Sequence, residues 1–132
     1  MKPQSLLGAL ALLAVAAVPS LAQEPVKLGF ITKFPVPFFA TMENAAKEYA
    51  KRNPGVEIIY GQGASATDIE GQIAQIESMV TRGVQGIALT PVDPTVSTAL
   101  DKAVAAGIKV VLMDNNIPDW KGRTALATTD NF

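Results

Sequence analysis

Five short apolar runs constrain the fold of this chain more than any other feature of its sequence. Their apolar character is nearly continuous, and they cover Val26–Ile31, Val56–Tyr60, Gly86–Thr90, Lys109–Met113 and Thr124–Thr128. Strands that are buried on both faces of a parallel sheet have this pattern. The first three runs begin about thirty residues apart, which is the length of one strand–helix–strand unit. The runs therefore predict parallel strands joined by helices.

Three segments between these runs have the period of amphipathic helices. They predict helices over Phe38–Arg52, over Thr67–Arg82 and between Asp93 and Gly107. In the first helix, the stripe expected to face the sheet consists of Phe39, Met42, Ala46, Tyr49 and Ala50.

Local signals mark the ends of the second and third helices. Thr67 and Glu70 have the spacing of a capping box, and Gly83 follows the last periodic residue. Asp93 is the expected N-cap of the third helix, because Pro94 fits the first helical position. Together, these elements predict an α/β fold: a doubly wound, open parallel sheet with strand order 2-1-3-4-5.

The first 22 residues have the pattern of a signal peptide. Lys2 supplies a positive charge, an apolar core follows, and the small residues Ser20 and Ala22 stand three residues and one residue before the expected cleavage site. We expect cleavage after Ala22 and export of residues 23–132. The alternative is an uncleaved membrane anchor, but the apolar core is short for a span of about 20 residues.

The remaining residues are enough for one domain. The chain stops at Phe132, just after the fifth run, where a further helix would begin and cover the sheet. We therefore expect a fragment of a longer protein; the alternative is a self-contained small domain with a frayed tail.

Composition excludes several classes of function. The chain has 11 basic and 12 acidic residues with no basic patch, so nucleic acid is not an expected partner. It has no cysteine and no histidine. Disulfide frameworks, Ser-His-Asp and Cys-His catalysis and histidine-based zinc sites are therefore absent, and we expect no metal or cofactor.

Polar and aromatic side chains follow the carboxyl ends of the predicted strands, where ligands bind in such sheets. Asp114 comes directly after the fourth run, and Phe38 and Phe39 open the first helix. Carboxylates and amides pair with sugar hydroxyls, and an aromatic plane packs on a sugar ring. Packing in the core explains Phe39 equally well. The glycines at 61 and 63 suggest phosphate binding only weakly, because the lysine of a P-loop is missing.

In its order of motifs the chain resembles the N-terminal lobe of periplasmic sugar-binding proteins of the ribose/galactose type, the substrate-binding proteins of ABC importers. The motifs are Pro37-Phe38-Phe39, the run 81–87, the loop 90–94, the run 108–114 and Thr129-Asp130-Asn131. The resemblance implies a periplasmic monomer whose two lobes close on a sugar or polyol at a hinge. A membrane permease would be its partner, and the C-terminal lobe would lie beyond Phe132.

The resemblance also assigns site residues. It implies that Thr32 lies near the sugar, that Phe38 and Phe39 stack on its ring, and that Asp114 binds hydroxyls. Thr90 stands where these receptors often have a ligand-facing asparagine.

Two departures from the family pattern alter the expected ligand. Val36 replaces an asparagine, and Asn115, itself a site candidate, replaces an arginine that would pair with Asp114. Ribose itself is therefore disfavoured relative to another pentose, a hexose, a polyol or a furanosyl signal molecule. Gln62 and Asp130 are further candidates, for ligand binding or for the hinge; simple turn chemistry is the alternative for Asp130.

Three other classes of function compete with import. A sensory receptor would use the same lobe to signal to a histidine kinase. An exported enzyme would have the carboxylates of Asp68, Asp114 and Asp130, but no nucleophile–base pair is present, so we expect no enzyme. The leader and the absence of a DNA-binding segment argue against a cytoplasmic repressor core.

Overall fold

The structure is a computed structural model that describes residues 24–128. The expected signal peptide with its cleavage site after Ala22, and the candidate Asp130, lie outside this range. Between residues 24 and 128, no helix is both long enough and apolar enough to cross a membrane.

Five parallel strands form one sheet in the order β2-β1-β3-β4-β5, which confirms the predicted fold and strand order. The strands are β1 (Val26–Thr32), β2 (Val56–Gln62), β3 (Gly86–Leu89), β4 (Lys109–Met113) and β5 (Ala125–Ala127). Each apolar run has become a strand, because a continuous apolar surface on both sides is buried best inside a sheet. The central position of β1 shows in its register: Leu28 lies between Ile58 of β2 and Gly86 of β3.

Three α-helices connect the strands, as predicted. They are α1 (Pro37–Arg52), α2 (Ile69–Thr81) and α3 (Ser97–Ala105), and a 3-10 turn at Pro94–Val96 precedes α3. Asp93 is a cap, as predicted, but of this turn and not of α3: its Oδ1 lies 2.8 Å from the backbone nitrogen of Thr95, whereas Val96 is the N-cap of α3. Gly83 and Gly107 follow the C-caps of α2 and α3, and their φ angles of 68° and 85° are ones that glycine adopts without steric strain.

The predicted capping box at the start of α2 is wrong by one residue. Asp68, not Thr67, is the N-cap, and its carboxylate accepts from Gly71 N at 3.0 Å and from Ala64 N at 2.9 Å. A carboxylate has two oxygens, so Asp68 binds the first turn of the helix and the preceding loop together. The Thr67 hydroxyl instead contacts Ser65.

The two faces of the sheet are covered differently. α2 and α3 pack on one face and bury most of the core, and a Cβ added at Gly29 would lie 2.9 Å from Met79 of α2. α1 packs on the other face, over β2. There Leu28, Ala88 and Val111 line an apolar depression of about 170 Å³.

One part of the predicted helix stripe is wrong. Phe39 is buried, but Tyr49 is 51% exposed. β2, under α1, is the edge strand of the sheet, so one flank of this helix has no neighbouring strand to pack against.

Candidate functional site

An open cleft of about 390 Å³ lies at the carboxyl ends of the strands. Its walls come from the start of α1, the end of β4 and the end of β5, and consist of Phe38, Met42, Asp114, Ala127 and Thr128. Parallel strands bring their carboxyl ends to one edge, and the cleft occupies the place where such sheets bind ligands.

The aromatic wall of the cleft is Phe38, which is 55% exposed. Its neighbour Phe39 is 4% exposed, and it packs edge-on against Phe34 and Phe38 with ring centroids 5.3 Å and 5.2 Å away. Pro37 at the first helical position explains this division, because the helix that it begins directs successive side chains to different faces. Phe38 therefore presents a ring to the cleft, and Phe39 supports that ring from the core.

The polar wall of the cleft is Asp114, which directly follows β4. Its φ of 64° lies in the left-handed region, which is unusual for a residue other than glycine. The neighbouring strand β5 holds this backbone conformation. Asp114 N donates to Ala127 O at 2.8 Å, and the Thr128 hydroxyl donates to Asp114 O at 3.0 Å. A strained residue held in this way in a cleft is typical of a functional site.

A residue absent from the sequence-based candidates lies beside Asp114, although it does not itself line the cleft. Lys33 follows β1, its ammonium lies 3.8 Å from Asp114 Oδ2, and it donates a hydrogen bond to the Asn115 side-chain oxygen. Lys33 thus places a positive charge beside Asp114, although residue 115 is an asparagine. Lys33 is a basic residue directly after the first predicted strand and its neighbour Thr32, and this signal was available in the sequence.

Two predicted ligand residues are fully buried. Thr32 donates from its hydroxyl to Glu43 Oε1 at 3.1 Å and accepts from Gln62 Nε2 at 3.0 Å. The Thr90 hydroxyl has no hydrogen-bond partner among the described residues, while its backbone oxygen accepts from Gln72 at 3.0 Å. In this conformation neither side chain has surface for a ligand to touch, so their contact with a sugar stays a prediction.

Gln62 is not among the residues that line the cleft. Its side chain donates to Thr32 and to Glu43, and with Glu43 it borders a separate depression of about 340 Å³. Tyr60 lies on the same strand, and its hydroxyl is buried with no partner among the described residues. Burial raises the pKa of Tyr60, and the nearby Glu43 carboxylate raises it further.

Sequence comparison assigns the family. Residues 29–132 match the family described as periplasmic binding protein domain. The chain belongs to the periplasmic binding protein family. This membership accounts for the open parallel sheet and for a cleft at the carboxyl ends of its strands. Between residues 24 and 128, no group of three or more acidic side chains is placed to hold a metal ion.

Two relatives are named as sugar-binding proteins. The chain is 36% identical over 90 residues to the multiple sugar-binding periplasmic receptor ChvE of Rhizobium radiobacter, with 67% of this chain and 24% of that protein covered. It is 38% identical over 84 residues to the D-ribose/D-allose-binding protein of Pseudomonas aeruginosa, with 59% and 25% covered. The match thus spans about a quarter of the length of these relatives.

Among solved structures, an ABC transporter solute-binding protein from Mycobacterium smegmatis with bound glycerol superposes with a TM-score of 0.68. It is 33% identical in sequence, and the superposition covers 77% of this chain and 34% of that one.

Proposed function

We propose that this periplasmic binding protein binds a neutral sugar or polyol outside the cytoplasm and delivers it to the membrane permease of an ABC importer. The observation that carries the proposal is the cleft in which the exposed Phe38 ring and the Asp114 carboxylate face the same space. The apolar face of a sugar ring packs on an aromatic plane, and a carboxylate accepts hydrogen bonds from hydroxyl groups. The sugar-binding relatives support the same class of ligand.

The described residues would take different roles in this site. Phe38 would stack on the ring, and Asp114 with Asn115 would bind hydroxyls at its edge. Phe39 packs against Phe38 and would hold its ring in position, whereas Thr32 at the end of β1 and Thr90 after β3 are buried. No step in this mechanism makes or breaks a covalent bond, so we propose a binding protein and not an enzyme.

Closure of two lobes would couple binding to transport. The cleft on this lobe is open, so we propose that a second lobe closes over the sugar and favours the shape that a permease recognises. We further propose that residues 1–22 are a signal peptide removed after Ala22, and that the mature protein acts as a monomer in the periplasm. Mass spectrometry of the exported protein tests the cleavage, since the expected N-terminal residue is Gln23.

Thermal unfolding of the complete mature protein tests the binding proposal. D-ribose, D-allose, D-arabinose, D-glucose, myo-inositol and glycerol are added separately at millimolar concentration. A ligand that binds only the native state raises the melting temperature by mass action, and calorimetry then gives its affinity. If no sugar or polyol in the panel shifts the melting temperature, the proposed function is wrong. Chemical conversion of a bound sugar would favour an enzyme instead.

A sensory role is the second candidate, because one of the relatives is named as a receptor. The same lobe would then present its closed form to a signalling protein and not to a permease. Uptake of labelled sugar by cells with and without the gene separates the two roles. An importer is required for uptake, whereas a sensor changes only the response to the sugar.

A further inference from the structure

Met42 is placed differently from the other two methionines of residues 24–128. Its side chain borders the open cleft and is partly exposed, whereas Met79 and Met113 are 1% and 8% exposed. Met42 lies one helical turn after Phe38, so the two side chains share the face of α1 that borders the cleft. The chain has no cysteine, so thioethers are its only sulfur groups. A dissolved oxidant therefore reaches Met42 far more readily than the two buried methionines.

The reaction of a thioether with a peroxide is a two-electron oxygen transfer. The sulfur lone pair attacks one oxygen of hydrogen peroxide, and the S–O bond forms as the O–O bond breaks. The departing hydroxide takes up the proton of the transferred oxygen and leaves as water. The thioether is oxidised to a sulfoxide, and the peroxide is reduced to water. An apolar side chain thus gains a polar acceptor oxygen.

The side chains around Met42 have no hydrogen-bond donor to offer such an oxygen. Among the described residues that line the cleft, Phe38 and Ala127 have no polar side-chain atom. The ionised Asp114 side chain only accepts, and the Thr128 hydroxyl already donates to Asp114 O at 3.0 Å. A sulfoxide at position 42 is therefore satisfied by water while the cleft is open. A ligand that excludes this water leaves a buried acceptor without a partner, which costs binding free energy.

We propose that Met42 is an oxidation site, and that its conversion to the sulfoxide by a peroxide lowers the affinity of the cleft for its ligand. A ligand stacked on Phe38 covers the neighbouring Met42, so the empty protein is the form that is oxidised. Methionine sulfoxide reductases restore the thioether and with it the affinity. The position of the oxidation follows from burial, whereas its effect on affinity rests on the proposed function.

Mass spectrometry of the complete mature protein locates the oxidation after treatment with hydrogen peroxide. Trypsin places each methionine in a peptide of its own: 34–47 for Met42, 53–82 for Met79 and 110–121 for Met113. We expect Met42 to oxidise at least fivefold faster than the other two in the folded protein, and all three at similar rates in urea. Equal rates in the folded protein overturn the proposal.

Calorimetry with D-ribose, D-arabinose and D-glucose measures the effect on binding before and after peroxide treatment. Met42→Leu is the matched control, because leucine keeps an apolar side chain in the cleft and has no sulfur to oxidise. Met42→Gln places a polar group at the same position without an oxidant. Treated wild type that is then reduced by the sulfoxide reductases with dithiothreitol tests the same point without any substitution.

We expect oxidised wild type to bind its preferred sugar at least fivefold more weakly and to recover after reduction. Met42→Leu should bind within threefold of wild type, with or without peroxide, and Met42→Gln should bind weakly in both conditions. Equal binding by oxidised and untreated wild type, or an equal loss in treated Met42→Leu, overturns this inference and leaves the proposed function standing. Untreated wild type that binds none of the sugars contradicts the proposed function and the effect on affinity together, whereas the oxidation rates still decide whether Met42 is the oxidation site.

Discussion

The Thr32 hydroxyl donates a hydrogen bond to the Glu43 carboxylate, with 3.1 Å between Oγ1 and Oε1. This contact joins the last residue of β1 to the second turn of α1, directly behind the loop that carries Lys33 and leads to Phe38. Gln62 Nε2 donates to both oxygens, at 3.0 Å and 3.1 Å, so three elements share one small network. The network fixes the helix that presents the aromatic wall of the cleft.

We expect Thr32→Val to lower the free energy of unfolding by about 1 kcal/mol, because Gln62 and Glu43 each lose a buried partner. Sugar affinity should change less than threefold, because the side chain has no surface in the cleft. Urea unfolding and calorimetry measure the two effects. Thr98→Val, an exposed site on α3, is the control. An affinity loss above tenfold would instead support the sequence-based prediction that Thr32 contacts the sugar.

The contribution of the Asp114 charge can be tested without disturbing the backbone. Asparagine tolerates the left-handed conformation, so Asp114→Asn should fold normally despite the φ of 64°. We expect sugar binding to weaken by about 2 kcal/mol, because a charged acceptor is replaced by a neutral amide. Calorimetry on the complete protein measures this change.

Asp119→Asn is the matched control for this substitution. Asp119 also has a left-handed backbone, with φ 59°, but lies in the loop next to Trp120, which donates to Asp101 on α3 at 2.7 Å. Binding by this variant should equal that of wild type. If the two variants bind alike, the carboxylate of Asp114 has no part in recognition.

We expect substitution of Phe38 to affect mainly sugar binding and substitution of Phe39 to affect mainly the stability of the fold. Phe38→Ala removes an exposed ring, so we expect little change in unfolding and a loss of binding of about 1 kcal/mol, the size of an aromatic contact. Phe39→Ala should lower the free energy of unfolding by about 3 kcal/mol or more, because it leaves a cavity in the core. Tyr49→Ala, which removes an exposed ring from the same helix, is the control for the first variant. If Tyr49→Ala also binds the sugar weakly, the loss of binding in Phe38→Ala reflects a change in helix α1 as a whole and not the loss of the Phe38 ring.

The sequence predicted the sheet better than it predicted the site, for a physical reason. Apolar runs such as Val26–Ile31 indicate directly which segments are buried as strands. Because the connections between parallel strands are right-handed, only a few strand orders are then possible. The direction of a polar side chain depends instead on partners that are distant in the sequence. Thr32 turns to Glu43, 11 residues later, and Lys33 meets Asn115, 82 residues away. Periodicity contains no information about either pairing.

The buried Tyr60 hydroxyl predicts sensitivity to alkaline pH. Its pKa in the folded protein is raised above the ordinary value of 10.0, chiefly by burial and secondly by Glu43. The unfolded chain therefore releases this proton first. The stabilisation is complete below about pH 10 and is lost as the pH rises through the pKa of the folded state. Denaturation of wild type and Tyr60→Phe at pH 7 and above pH 10 tests this.

We expect Tyr60→Phe to lose less stability than wild type above pH 10. At pH 7 it should be at least as stable, because the substitution removes a buried hydroxyl without a partner among the described residues. Tyr49→Phe changes the same group at an exposed site and should follow wild type at every pH. Parallel loss of stability in wild type and Tyr60→Phe would exclude Tyr60 as the cause.

Gly61 and Gly63 lie where neighbouring groups leave little room for a side chain. Close packing therefore accounts for these two glycines, which have only part of the phosphate-loop pattern. A Cβ added at Gly61 would lie 2.7 Å from the Gln75 side-chain oxygen, and one at Gly63 would collide with the Lys33 carbonyl oxygen. The Gly63 nitrogen also donates to Thr32 O at 3.2 Å, which ties the end of β2 to the end of β1. Gly63 is therefore required where the backbone that carries Lys33 passes the end of β2.

We expect Gly63→Ala to lower the free energy of unfolding by about 1–3 kcal/mol, the usual cost of overpacking, and to weaken sugar binding because Lys33 moves away from Asp114. Gly55→Ala is the matched control, since a Cβ there meets nothing within 4 Å. Thermal unfolding and calorimetry on the complete protein measure both effects. In the Lys33→Met background, Gly63→Ala should still reduce stability but should weaken binding no further, because the displaced group is already absent. An additional loss of binding in the double variant would show that Gly63 supports the cleft by a route other than Lys33.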